Sequence, residues 1–257
     1  NSASSGANYT GGTINYTCTT PLPGSGTGNI TNDPQFVNAG AGNYRLLPTS
    51  PCRDAGSNGL VVGATDLDGN ARISGAGVDM GAYEYALMIR YVNIANPSPV
   101  APFTSWATAA TNIQDAVDVS IPEDTVLVSN GVYQTGGRVT PGSSLTNRVV
   151  IDKAITMRSV NGPSVTMIRG AGPNGDAAVR CVWMTNGAAL TGFTLTSGAT
   201  RTTGDTVSEQ SGGGLWAQST NVLVNACIAV GNNAVNAAGV FRGTLNNCLL
   251  SRNTAQQ

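Results

Sequence analysis

The 257-residue sequence predicts an all-β chain built as a parallel β-helix, a solenoid, with one short capping α-helix near residues 105–119. Three observations carry this. Short alternating apolar stretches recur between Gly and Asn turns at a period of roughly 20 to 25 residues, and each is too thin to bury its own inner face. The chain holds 33 Gly and only 11% charged residues, against about 25% in typical domains, with 40% hydrophobic residues for a core. The end of the chain also reads into its beginning: Gly243-Thr244-Leu245-Asn246-Asn247-Cys248 returns as Gly12-Thr13-Ile14-Asn15-Tyr16-Thr17-Cys18, with one residue inserted.

The lead-ins to that phrase correspond too, Ala238-Gly239-Val240-Phe241 in one and Ser5-Gly6-Ala7-Asn8-Tyr9 in the other. With Asn1 placed after Gln257, Gly239 and Gly6 stand about 24 residues apart, a normal solenoid period. The chain therefore reads as a body that begins and ends in mid-repeat. The absence of an initiator Met and of a signal peptide reads as an excised or mature piece.

In chain order, residues 1–85 are expected to form an end module of a β-helix. One coil, Gly6 to Thr20, is followed by a Pro- and Gly-rich turn and irregular chain closing on Val78-Asp79-Met80-Gly81-Ala82-Tyr83-Glu84-Tyr85. Residues 86–90 are a short apolar junction, unlike a flexible Gly/Ser linker, and are expected to pack and hold the modules at a fixed angle. Residues 91–257 supply a cap and first coils. Ala110, Ile113, Ala116 and Val117 fall at helical spacing, with Thr104 or Ser105 as N-cap, and this helix is placed to cover an open end. A strand at Val126-Leu127-Val128, a turn at Asn130-Gly131 and then coils follow, marked by Val149-Val150-Ile151, Val179 to Met184, Leu190 to Leu195, Val222 to Ile228 and Leu245 to Leu250. Ala199 to Gly214, with Arg201, Asp205 and Glu209, reads as a polar surface insertion. Trp183, Trp216, Phe241 and Tyr9 are expected to stack along one wall, the alternative being an exposed sugar platform.

Chemistry is constrained mostly by exclusion. The chain has no histidine, which removes His-dependent triads and ordinary zinc sites. Net charge is −1, with no dense basic cluster to neutralise phosphates, so a nucleic-acid partner is not expected. No apolar run reaches the roughly 18 residues of a membrane span. Five cysteines match no zinc or redox spacing. Cys227 and Cys248 occupy equivalent repeat positions, within disulfide range if stacked, although an inward ladder of free thiols is the preferred reading.

Asp66, Asp68 and Asn70 resemble part of a calcium loop, with Asp79 or Glu84 as completing ligands if the fold brings them close. The Gly falls too early for an EF-hand, so an Asx-rich turn is preferred and no cofactor is assigned. Sequons at Asn8, Asn15 and Asn29 are candidate glycosylation sites; Asn96 is disqualified by Pro97.

Asn112-Ile113-Gln114-Asp115-Ala116-Val117-Asp118, Gly131-Val132-Tyr133 and Ile151-Asp152-Lys153-Ala154-Ile155-Thr156-Met157 resemble the opening of a right-handed parallel β-helix of the pectate-lyase-like superfamily. Asn29 to Phe36, Ser50-Pro51-Cys52-Arg53-Asp54-Ala55-Gly56, Asp66-Leu67-Asp68-Gly69-Asn70 and Val78 to Glu84 resemble the closing segment of bacterial surface and secreted β-helix proteins of the choice-of-anchor type. The order is inverted: joined as 91–257 followed by 1–85, the segments would make one complete small β-helix. The resemblance implies the fold more strongly than an activity, because the superfamily includes lyases, esterases, adhesins and structural members. Pectin methylesterases share the Ile-Gln-x-Ala-Val-Asp and Gly-Val-Tyr phrases, but no counterpart of their catalytic Asp strands stands here, and no two carboxylates recur at one coil position. No catalytic residue is assigned.

The expected function is structural: a secreted or cell-surface subunit of an extracellular filament or array, a homopolymer assembling head to tail, or one period of a covalent tandem repeat. Gly6, Tyr9, Ile14, Tyr16 and Cys18 would form one side of the contact, and Phe241, Leu245, Cys248 and Leu250 the other. The alternatives are a carbohydrate-binding or carbohydrate-active β-helix, with Trp183, Trp216 and loop 199–214 as the sugar face and glycans as partners, and an adhesin.

Overall fold

The computed structural model describes residues 8–140 and 142–256. Among these the chain is predominantly β, with one α-helix and mostly parallel sheets. It divides into two compact units, Asn1–Ala86 and Leu87–Gln257.

In the first unit, an antiparallel pair, β1 (Phe36–Asn38) and β2 (Asn43–Leu46), is joined by a 3-10 turn that Asn38 caps and Gly42 ends in the left-handed region (φ 75°). Leu46, Cys52 and Met80 form a small core, with Cys18, Ile30, Phe36 and Ala55 packed against it. Residues near Cys18 and Ile30 run parallel, held by Tyr16 N–H to Thr27 O (2.8 Å), Ile30 N–H to Thr17 O (3.0 Å) and Thr19 N–H to Ile30 O (2.9 Å). The predicted coil Gly6 to Thr20 thus has a neighbour much closer in sequence than a full period. Gly6 itself lies outside the described residues.

In the second unit the chain visits three sheets in rotation. It runs through β3 (Ile89–Val92), α1 (Ile113–Val119), β4 (Thr125–Val128), β5 (Gly131–Tyr133), β6 (Arg138–Val139) and β7 (Thr146–Ile151). Then come β8 (Thr156–Ser159), β9 (Thr166–Arg169) and β10 (Val179–Met184), followed by β11 (Ala189–Thr191), β12 (Thr194–Thr196) and β13 (Leu215–Ala217). The last circuits are β14 (Leu223–Asn225), β15 (Ile228–Val230), β16 (Asn233–Ala234) and β17 (Val240–Phe241), then β18 (Thr244–Asn246), β19 (Leu249–Ser251) and β20 (Thr254–Ala255).

The sheets have orders β6-β7-β10-β13-β17, β3-β4-β8-β11-β14-β18 and β5-β9-β12-β15-β19, with β16 pairing β20. All these pairings are parallel except β6 with β7. Register stacks like on like: Val126, Met157, Leu190, Val224 and Leu245 stand opposite one another in successive strands, and the first four are almost fully buried. Each such side chain contributes roughly 1.5–3 kcal/mol by leaving water. The circuits from Met157 to Leu190 and on to Val224 are longer than the expected period; only the step from Val224 to Leu245 falls within it.

Helix α1 is shorter than the 105–119 segment predicted. Its N-cap is Asn112, whose side chain accepts from Gln114 N–H, not Thr104 or Ser105. Ser105 instead caps a separate 3-10 turn, Trp106–Thr108, through a reciprocal capping box with Thr108. Ala110 lies outside the helix and bridges to Val92. The helix packs on β3, β4 and β7 through Ile113, Ala116 and Val117. Its buried Gln114 stands in for a missing strand: the amide nitrogen donates to Val150 O (3.1 Å) and its oxygen accepts Val150 N–H (2.8 Å). At the other end, Lys153 Nζ donates to Val117 O and Asp118 O, satisfying carbonyls a helix C-terminus leaves open.

Candidate functional site

The feature with most potential for function is the final circuit of the second unit. β17, β18 and β19 each end their sheet, and β20 pairs only with β16, so each offers one edge without a strand partner among the described residues. Such edges are templates for further pairing. Phe241 and Leu245 are half-buried, Cys248 is half-buried against the core, and Leu249 and Leu250 are 57% and 47% exposed. Leu249 occupies the register position of Ile228 and Thr194, and Leu250 that of Ala229 and Leu195. Leu195 is fully buried and Ala229 nearly so, so Leu250 is a core-type residue left uncovered.

The other side of the expected contact lies in the first unit. Ile14 and Cys18 are half-buried, Tyr16 is 38% exposed, and Tyr9 is half-buried. Asn15 is exposed; its Oδ1 accepts Thr27 N–H (2.8 Å). Asn29 is half-buried, with Nδ2 donating to Ile14 O (2.6 Å) and Oδ1 accepting Thr17 N–H (3.1 Å), and Asn8 Nδ2 donates to Thr20 O, so both of these candidate glycosylation sites have the amide nitrogen engaged. Asn8 is exposed.

The aromatic wall is formed by Trp183, Trp216 and Phe241, stacked at 5.4 and 6.2 Å with interplanar angles of 7° and 17°. Tyr9, expected in this stack, belongs to the first unit. Trp216 makes a poor sugar platform, because both ring faces are occupied, it is 8% exposed, and its Nε1–H donates to Val207 O (2.8 Å).

That last contact corrects the reading of Ala199–Gly214 as a surface insertion. Ala199 and Thr200 are fully buried, and Glu209 through Gly214 are buried. Their anchor is Arg180, among the largest fully buried side chains. Nε donates to Gly212 O (3.0 Å), Nη1 to Asn147 Oδ1 (2.9 Å), and Nη2 to Ser208 O (2.6 Å) and Ser211 O (2.8 Å). Burial pushes its pKa down to about 9, which leaves it charged at neutral pH. Glu209 accepts from Ser144 N–H (2.5 Å) and Asp205 N–H (3.0 Å), and these backbone bonds with nearby Arg201 hold its carboxyl below the usual value. In the sequence Arg180 was one charge among several on an alternating strand; only the chain folding back over it makes it internal.

The calcium candidates are occupied by their own backbone. Asp66 Oδ1 accepts Asp68 N–H (2.9 Å) and Asn70 N–H (2.8 Å), and Oδ2 accepts Glu84 N–H (2.9 Å). Desolvation would raise the Asp66 pKa, but these bonds outweigh it and hold the carboxyl below its ordinary value. Asp68 pairs with Arg45, and Glu84 with Arg72. Asp79 accepts Asp54 N–H (2.7 Å) and Tyr85 N–H (2.5 Å), while burial pushes its pKa up. Among the described residues no group of three or more His, Cys, Asp or Glu side chains is placed to hold a metal. All five cysteines are free thiols.

A second surface was not foreseen. An open cleft of about 340 Å³ is lined by Asn93, Trp106, Ser129, Asn130, Val160 and Asn161. Asn161 Nδ2 donates to Asn130 Oδ1 (2.8 Å), and Trp106, 42% exposed, meets Tyr91 edge to face at 4.7 Å. No helix among the described residues is long and apolar enough to cross a membrane. No protein-family model matches the chain, and no curated protein or solved structure matches it.

Proposed function

We propose that the second unit is a right-handed parallel β-helix and that the protein is a structural subunit of an extracellular filament or surface array, its copies joined head to tail. The right hand follows from the strong rule for crossovers between parallel strands. The observation that supports assembly is the set of unpaired parallel edges in β17–β20, with Leu250 uncovered at a position buried in earlier circuits. A contact between two different surfaces that does not close on itself generates a fibre. The extracellular setting rests on composition alone, low charge and a polar uncharged surface.

Sedimentation velocity and electron microscopy of the native chain over rising concentration test this. Species growing in steps of one copy support it; a protein that stays monomeric at the highest soluble concentration sinks it. Mass under denaturing conditions separates the two forms of the idea: a single 26.1 kDa band means non-covalent stacking, and much larger species mean a tandem chain.

The second reading is carbohydrate binding, for which we propose the cleft beside Trp106, because an exposed indole and neighbouring amides offer stacking and hydrogen bonds there. Retention of native protein on immobilised neutral polysaccharides, lost in Trp106→Ala, would support it; equal behaviour of the two proteins would end it.

A further inference from the structure

We infer that the strand Gly12–Cys18 of a second copy docks on Gly243–Leu249 in one register, with Asn15 opposite Asn246 and Tyr16 opposite Asn247. This rests on the head-to-tail reading and names the segment and the bonds that would make the joint.

The two segments share a backbone as well as a phrase. Gly11 and Gly12 have φ of 67° and 78°; Arg242 and Gly243 have 61° and 94°. Four residues after each pair's second member comes another left-handed residue, Tyr16 at 47° and Asn247 at 53°. Left-handed backbone is uncommon outside glycine, so three matching positions at one spacing are informative. They also remove the gap from the sequence comparison. Gly12-Thr13-Ile14-Asn15-Tyr16 aligns directly with Gly243-Thr244-Leu245-Asn246-Asn247, so Cys18 corresponds to Leu249 rather than Cys248, and Tyr9 to Val240 rather than Phe241.

Each unit already joins its own circuits by the same rule. The left-handed corner residue donates to the carbonyl just before the next corner: Gly192 N–H to Asn225 O (3.0 Å), Ala226 N–H to Asn246 O (2.9 Å) and, in the first unit, Tyr16 N–H to Thr27 O (2.8 Å) ahead of Gly28. One residue beyond the corner, the carbonyl receives the next circuit's amide: Leu249 N–H to Cys227 O (2.9 Å) and Ile30 N–H to Thr17 O (3.0 Å). Before the corner, Thr244 N–H donates to Val222 O (2.8 Å).

Applied once more across copies, the rule pairs Asn247 N–H with Asn15 O, Cys18 N–H with Cys248 O, and Thr13 N–H with Gly243 O. Among the described residues, none of these three N–H groups has another hydrogen bond. Each donor meets an acceptor, so the partial charges along the two edges are complementary.

The side chains continue the pattern. Asn246 Nδ2 donates to Asn225 Oδ1 (2.9 Å), leaving Asn246 Oδ1 open on its far side. Asn15 uses Oδ1 to accept Thr27 N–H, leaving Nδ2 as a donor. The amide ladder Asn225–Asn246 thus extends to Asn15 of the next copy. Asn15 heads a sequon, so a glycan on its Nδ2 and this joint exclude one another.

The test compares full-length double variants by sedimentation, with far-UV circular dichroism confirming the fold. In Asn15→Asp with Asn246→Asp, like charges face each other across the joint and association falls at least about tenfold; in Asn15→Lys with Asn246→Asp it stays within about threefold of wild type. Independently, mixing Asn15→Cys with Asn246→Cys should give an oxidised species of twice the chain mass on non-reducing denaturing gels, because directly opposed residues come within disulfide range. If wild type assembles but both charge variants assemble equally well and no cross-link forms, the register is wrong and assembly stands. If wild type does not assemble, the head-to-tail reading falls and this inference with it.

Discussion

Replacing Arg180 by Met keeps the length and much of the apolar stem but removes all the donors of the guanidinium. Four acceptors lose their partner at a site with 0% exposure: the carbonyls of Ser208, Ser211 and Gly212, and Asn147 Oδ1. An unsatisfied buried acceptor costs about 1–3 kcal/mol, so four set an upper range that loosening of the loop toward water will reduce. The expected loss is about 3–5 kcal/mol, the scale seen when one partner of a buried charged group is removed. Arg180→Lys keeps a charge but not the planar fork, and should lose about 1–3 kcal/mol through one or two unmet acceptors.

All three tryptophans, Trp106, Trp183 and Trp216, lie in the second unit, so urea unfolding followed by tryptophan fluorescence reports that unit alone. Limited proteolysis adds a local readout, since exposed Thr202 to Val207 should be cut faster once Ser208 and Ser211 are released. If Arg180→Met costs less than about 1 kcal/mol and leaves the cleavage rate unchanged, the carbonyls are not held by the guanidinium and the anchoring argument is wrong.

Glu209 gives a pH signature. Its folded pKa lies below the ordinary 4.5, so its contribution is complete above that value and is lost as pH falls through the lower folded one; loop cleavage should rise below pH 4.5 in wild type and be already raised at pH 7 in Glu209→Gln. Gly198→Ala places a methyl on the Gly213 carbonyl oxygen and beside Cys181 Sγ, and should cost about 1–3 kcal/mol or more in the tryptophan-detected transition; an unshifted midpoint would contradict the close approach. Cys227 is buried and its thiol is pushed up to about 11, chiefly by desolvation, so iodoacetamide at pH 8 should label half-buried Cys248 well before Cys227, with peptide mass spectrometry giving the order.

The strand content and parallel stacking were legible because inward positions repeat with period two and break at Gly or Asn. Val182, Leu190, Leu215 and Val224 all fall where alternation puts them, and all are buried. The helix was legible in its apolar spacing but not in its start. Ser105 and Asn112 are both good caps, and only the intervening bridge of Ala110 to Val92 shows that the chain is extended between them. The insertion was misread for a physical reason. Its polarity predicts solvent, yet its backbone carbonyls are what a buried guanidinium needs, and that complementarity lies between residues about thirty positions apart. Gln114 was likewise hidden: nothing in Ile113-Gln114-Asp115 says that an amide will complete the ladder at Val150.

The seam shows why register is harder to read than repeat. Compared as letters, the two phrases are best aligned by matching Cys18 to Cys248, which needs a gap, because cysteine is rare and draws the eye. Compared as backbones, the fixed points are the left-handed corners, and these are occupied by Gly192, Ala226, Asn247 and Tyr16, residues with nothing else in common. A corner is recognisable as glycine only when glycine fills it. At Ala226 and Tyr16, whose N–H groups donate to Asn246 O and Thr27 O, the hydrogen bonds hold a conformation the residue does not favour, and the sequence carries no mark of it. Shifting by one residue matters because strand side chains alternate faces: the gapped alignment leaves Asn15 on Asn246 but sets Cys18 opposite Cys248 instead of Leu249, turning it to the other face. The corner register keeps Asn15 on the amide ladder. That makes Asn15 and Asn246, two exposed amides in strands of ordinary polarity, the residues on which head-to-tail joining is most directly tested.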